Sequence, residues 1–130
     1  ETVAKHQQVE VLRGDVVLIR TGWIRQWDDV PAYVGERTGC PGPDASAAEW
    51  LAARGVRASG SDTVPYEVTR PGDPSMPVHM ILIARSGIHI LEMVNLEELA
   101  RDRVYTFLFV VAPLKIVGAT GSPVRPLAIA

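Results

Sequence analysis

The sequence is nearly free of cysteine. Cys40 stands alone among 130 residues, so no internal disulfide can staple the chain, and a reducing, cytoplasmic setting is expected. Gly39 and Pro41 flank it and mark a loop thiol rather than a nucleophile. An excess of one charge is also lacking. Thirteen basic and 15 acidic residues leave a net charge of −2, which offers no field for a phosphate backbone, so no nucleic-acid partner is expected. Long apolar runs are missing too: those around residues 105–114 and 80–84 fall short of the roughly 20 residues that cross a bilayer, and no membrane span is expected. The chain opens on Glu1 without a basic and then apolar leader, so no secretory signal is read, and the start of the gene product is left open upstream. The common catalytic signatures fail as well: there is no Gly-rich phosphate loop, His-Glu-x-x-His, Cys-x-x-Cys or Gly-x-Ser-x-Gly.

What is present is an apolar fraction of 47%, enough for one core, and residues 1–130 read as one domain or part of one. Residues 1–8 read as a polar helix end. Arg13-Gly14-Asp15 then turns the chain into the β-branched run of residues 16–20, the pattern of a strand buried on both faces. A Gly- and Pro-rich stretch through Pro43 carries Trp23, Trp27 and Tyr33, aromatics that either wall a pocket or pin the loop to the core. Asp44 is placed to cap a helix over residues 45–54 that Gly55 closes. Residues 56–59 read as a brief strand, residues 65–77 as a proline-rich loop, 78–85 as a helix, 88–93 as a strand, 105–112 as the strongest strand and 127–129 as a last one. Asn95 is expected to cap a helical turn over 96–100, with Glu98 as its capping-box partner. The spacing gives an α/β fold: a mixed sheet containing strands 16–20, 88–91 and 105–112, with few short helices. Helices this few leave apolar sheet to be covered by further chain, a second subunit, or both.

Of the three histidines, His6, His79 and His89, His79 is singled out by its relation to Glu92. Period-two alternation puts Ile88, Ile90 and Glu92 on one strand face. A carboxylate there requires a cation, a metal or a hydrogen-bond donor, unless it lies at an exposed strand end. His79 opens the preceding helix just after Pro77, and an imidazole with a carboxylate is what a zinc or manganese site needs among its ligands or directly behind them, although two such residues are not a site by themselves. Asp62 follows a short strand, where it is either a functional group or an Asx-turn with Thr63. The turn over residues 120–125 offers a hydroxyl and the Arg125 guanidinium to an anion, or simply precedes an edge strand; Lys115 reads as solvated.

Four blocks, in order, resemble the cyclase family of metal-dependent hydrolases, the group of bacterial kynurenine formamidase and isatin hydrolase. They are Gly-Asp-Val-Val-Leu-Ile-Arg-Thr-Gly-Trp at 14–23, Gly-Ser-Asp-Thr at 60–63, His79 through Gly87 to Glu92 and Asn95-Leu96, and Pro-Leu-Lys-Ile at 113–116 through Gly-Ser-Pro-Val-Arg at 121–125. The resemblance implies a swivelling β/β/α fold, incomplete within this chain, of which residues 1–130 form the C-terminal part. It implies hydrolysis of an aryl formamide or a cyclic amide with a divalent metal, zinc or manganese, that lowers the pKa of water and polarises the carbonyl. His79 and Glu92 are the residues carried over, both as catalytic residues and as metal ligands. The family's His-x-Gly-Thr-His-x-Asp motif, which supplies the main ligands, is not in this sequence. The expected partners are therefore an N-terminal segment of the same protein or a companion chain bearing that motif, further copies in a homo-oligomer, and a small amide substrate. A non-catalytic binding or assembly module is the alternative.

Overall fold

The computed structural model describes residues 1–130. After a short helix α1 (Thr2–His6), β1 (Val16–Ile19) runs parallel to β2 (Ala58–Ser61), which runs parallel to β3 (His89–Leu91), in the spatial order β1-β2-β3. Parallel neighbours need a crossover, and helices supply both. The β1–β2 crossover contains a 3₁₀ turn (Trp23–Gln26), α2 (Val30–Tyr33) and α3 (Ala45–Arg54). The β2–β3 crossover contains α4 (Pro77–His79), which widens into a π-helical segment over Met80–Arg85.

Local chemistry sets these boundaries. The Asp44 carboxylate accepts the Ala47 amide at 2.9 Å, and Gly55 closes α3 in the left-handed region at φ 67°. A cap of this kind is worth about 1 kcal/mol. Ala48 and Leu51 of α3 meet Val78, Ile81 and Leu82, and with Val56, Tyr66 and Ile88 they form the core. Val17, Ile19 and Ile90 pack on it from the near face of the sheet.

The strand expected to be buried on both faces is only half-buried along β1, because this chain lays helices on one face. On the other face Gly60 lets the sheet fill its own furrow: a Cβ there would meet Leu18 Cδ2 at 2.9 Å and Leu91 Cβ at 3.1 Å.

The expectation of one sheet is corrected. Of residues 105–112 only Leu108–Val110 form a strand, β4, and it pairs antiparallel with β5 (Leu127–Ile129) in a separate two-stranded sheet. β-propensity reports a preference for extended backbone and does not select the partner. Leu108, Leu114, Ile116, Leu127 and Ile129 are all exposed along this C-terminal stretch. The capping-box reading also fails. Asn95 does accept the Glu97 amide at 3.1 Å, but α5 (Glu97–Arg101) has Leu96 at its N-cap and Glu98 returns no bond. No helix is long and apolar enough to cross a membrane.

Candidate active site at the carboxyl end of the parallel sheet

Because β1, β2 and β3 are parallel, their carboxyl ends share one edge, where open α/β sheets collect functional groups. Asp62 follows β2 there and Glu92 follows β3. His79 reaches the same region from α4. Its Nε2 lies 3.6 Å from Glu92 Oε1, too long for a hydrogen bond, and both side chains are partly exposed. The structure thus brings together the two residues singled out in the sequence. His6 on α1 and His89 at the start of β3 are exposed and bond to neither.

A third residue, not anticipated, completes the group. Glu67 has a side chain only 1% exposed. Its Oε2 accepts the Val78 amide at 3.0 Å, and its Oε1 accepts the His79 amide at 3.0 Å and lies 2.6 Å from His79 Nδ1. The preceding residue holds the other carboxylate: the Tyr66 amide donates to Glu92 Oε1 at 2.8 Å. Glu92 thus lies at an exposed strand end, one residue past β3, and also has a backbone donor. The Tyr66 hydroxyl donates to Ser59 Oγ of β2 at 2.7 Å, and burial, against the opposing pull of that bond, pushes the phenol up to about 12. Glu67 lies in a proline-rich loop with no period to mark its face, so only proximity after folding reveals it.

Asp62 is a structural clamp. It is fully buried, and its carboxylate accepts the Thr21 amide at 2.8 Å, the Thr21 hydroxyl at 2.7 Å and the Gly22 amide at 2.7 Å. The Asx-turn with Thr63 is thereby corrected: the donors come from the chain leaving β1, while Thr63 shares its hydroxyl with Ser61 at 2.7 Å. Tyr33 is pinned to this clamp, its hydroxyl donating to the Asp62 carbonyl at 3.1 Å, and Trp23 Nε1 donates to the Tyr33 carbonyl at 2.8 Å. Trp27 plays the other role, walling a cavity of about 400 Å³ with Ile24, Arg25, Met93 and Asn95. Cys40 is buried within reach of the Tyr33 and Val64 carbonyls, and burial pushes its thiol up, against any nucleophilic use. In the 120–125 turn the Ser122 hydroxyl is consumed internally, accepting the Leu114 amide at 3.0 Å, and Arg125 and Lys115 are exposed without an ion pair.

His79 Nε2 and the Glu92 carboxylate are a metal-type donor pair, but no group of three or more His, Cys, Asp or Glu side chains is placed to hold an ion. Catalytic zinc normally takes three protein ligands. The donors of this chain alone do not make that site.

The chain is similar to known proteins over part of their length. The Cyclase family model matches residues 1–68. Isatin hydrolase of Roseibium aggregatum is 30% identical over 125 residues, which are 92% of this chain and 46% of that protein. A crystal structure described as a novel cyclase superposes with a TM-score of 0.86 at 30% identity, over 98% of this chain and 44% of that one. An isatin hydrolase bound to the product analogue thioisatinate does so with a TM-score of 0.80 at 29% identity, over 96% and 48%. The chain thus spans under half the length of each of these relatives, within their mixed α/β fold, and on the extent of the family match it belongs to the cyclase family.

Proposed function

We propose that residues 1–130 are the C-terminal part of a cyclase-like domain that hydrolyses the C–N bond of an amide, and that they supply the His79–Glu92 side of its active site. The observation that carries this reading is the approach of His79 Nε2 to Glu92 Oε1 at 3.6 Å, with the imidazole nitrogen free of any hydrogen bond within the chain. An N-terminal segment of the same protein, or a companion chain, brings the remaining ligands. A divalent metal, zinc or manganese, supplies Lewis acidity once that ligand set is complete. This chain's own residues then handle the proton. Water adds to the amide carbonyl, its proton passes to whichever of His79 Nε2 and the Glu92 carboxylate would not be holding the metal, and the proton returns to the departing nitrogen as the C–N bond breaks. The relatives include isatin hydrolases, which favours an aryl formamide or a cyclic amide as substrate. A reducing cytoplasm suits the lone buried thiol.

A second reading, an assembly module without chemistry, is favoured by the exposed apolar residues of the β4–β5 ribbon, which suit a homo-oligomer or a covering segment. One experiment separates the two. The chain is expressed alone and together with a cyclase-family N-terminal segment carrying His-x-Gly-Thr-His-x-Asp, and metal content and hydrolysis of N-formylkynurenine and isatin are measured. Turnover is expected only from the pair, with His79→Ala and Glu92→Ala each losing most of it while the circular dichroism spectrum is kept. A stable but inactive pair favours the assembly module; turnover from the chain alone overturns the proposal.

A further inference from the structure

We propose that Glu67 is the positioning residue of the site: its buried carboxylate holds the neutral His79 ring as the Nδ1–H tautomer, so that Nε2 carries the lone pair that faces Glu92. The catalytic use of that lone pair rests on the function proposed above; the tautomer does not.

Geometry leaves the ring little choice. Backbone amides only donate, so Glu67 Oε2 must accept from Val78 and Oε1 from His79. The remaining lone pair of Oε1 meets Nδ1 at 2.6 Å, a short contact between a ring nitrogen and a carboxylate. With both oxygens already accepting amide N–H bonds, the carboxylate acts as the acceptor throughout, and the ring nitrogen is the donor at the third contact. A carboxylate that is 1% exposed cannot turn to water for substitute donors, so all three bonds hold together. One oxygen accepts both the amide and the ring nitrogen of the same residue, which fixes the ring relative to its own backbone.

The two arms of the site are set by adjacent residues. The Glu67 side chain orients His79, and the Tyr66 amide orients Glu92. Gly42 backs this dipeptide without clearance: a Cβ there would collide with the Tyr66 carbonyl oxygen and lie 2.7 Å from the Glu67 carbonyl carbon. Every group in the arrangement belongs to this chain, so the lone pair is aimed before any covering segment arrives.

The test is nitrogen-15 NMR of the full chain with labelled histidine, in a His6→Gln, His89→Gln background that leaves His79 as the sole reporter. Magic-angle spinning of sedimented protein makes the readout independent of self-association. With the ring neutral, Nδ1 is expected to be protonated and Nε2 bare; a proton on Nε2 overturns the proposal. In Glu67→Ala the ring loses its acceptor, so the two nitrogen signals should move toward each other as tautomers mix. Unchanged signals in a folded variant overturn the role of the carboxylate, and if the variant fails to fold, the parent spectrum decides alone. In the hydrolytically competent pair, Glu67→Ala should lower turnover about 10- to 100-fold, the usual effect of removing a histidine's orienting partner; parent-like turnover overturns the positioning role. A parent pair that hydrolyses no amide defeats the proposed function and leaves the tautomer result standing.

Discussion

Replacing Asp62 with alanine should destabilise the fold rather than alter chemistry. The carboxylate is fully buried, and its three donors, the Thr21 amide, the Thr21 hydroxyl and the Gly22 amide, all lie within 2.8 Å. A hydrogen bond to a charged group contributes about 1.5–3 kcal/mol. The three do not add in full, because they share one carboxylate and because Thr21 is exposed enough for water to reach it. A loss of about 3–5 kcal/mol follows, comparable to breaking a buried charge network. With a urea slope on the order of 2 kcal/mol/M, the unfolding midpoint should fall by about 2 M. Tryptophan fluorescence is a suitable probe, since the clamp and the Tyr33 contacts hold the loop that carries Trp23, one of three tryptophans. Asp62→Asn keeps an acceptor for Thr21 but opposes the Gly22 N–H with a donor, so it should fall between the parent and the alanine variant. A midpoint shift below about 0.5 M for the alanine variant would refute the reasoning and mean that water replaces the carboxylate.

Tyr66 should ionise only near pH 12 when followed by ultraviolet absorbance of the phenolate. The folded value lies above the unfolded value of about 10, so this contribution, on the order of 3 kcal/mol, is fully present below pH 10 and is lost as pH rises through 12. Cys40 should resist thiol reagents in the native chain and react at the rate of a free thiol after denaturation, because it is 2% exposed. Gly42→Ala should cost about 1–3 kcal/mol by pressing on the 66–67 backbone, and in a competent pair it should lower turnover along with stability; parent-like behaviour would show that this backbone gives way freely.

Elements with a strong local signature were legible in the sequence, and long-range partnerships were not. α3 carries its own cap, its apolar face and a closing Gly55, so its limits follow from the consecutive residues 44–55. β1 and β5 likewise announce themselves. Which sheet residues 105–112 would join depends on partners elsewhere in the chain, and the β-branched run does not encode them. The same division runs through the site. Glu92 stood out because a carboxylate shared a face with isoleucines, and His79 because it opened a helix beside it. Glu67 sits eleven residues before Val78 in an aperiodic loop, and its contacts exist only once α4 has folded back on it. Asp62 was visible as a strand-end carboxylate, but its donors lie about forty residues away in the chain leaving β1.

The bond from Val78 to Glu67 also acts as a stitch across the proline-rich loop. It closes the loop at its base, where Tyr66 and Glu67 are buried on one side and Val78 on the other, while residues 70–77 between them are exposed. The geometry of the site is therefore insulated from the length of that segment. Each doubling of a flexible loop costs only about 0.6 kcal/mol, far less than the stitch it would have to open, so residues 70–76 are where this chain can accept an insertion, an epitope or a fluorescent tag while His79 and Glu92 keep their spacing.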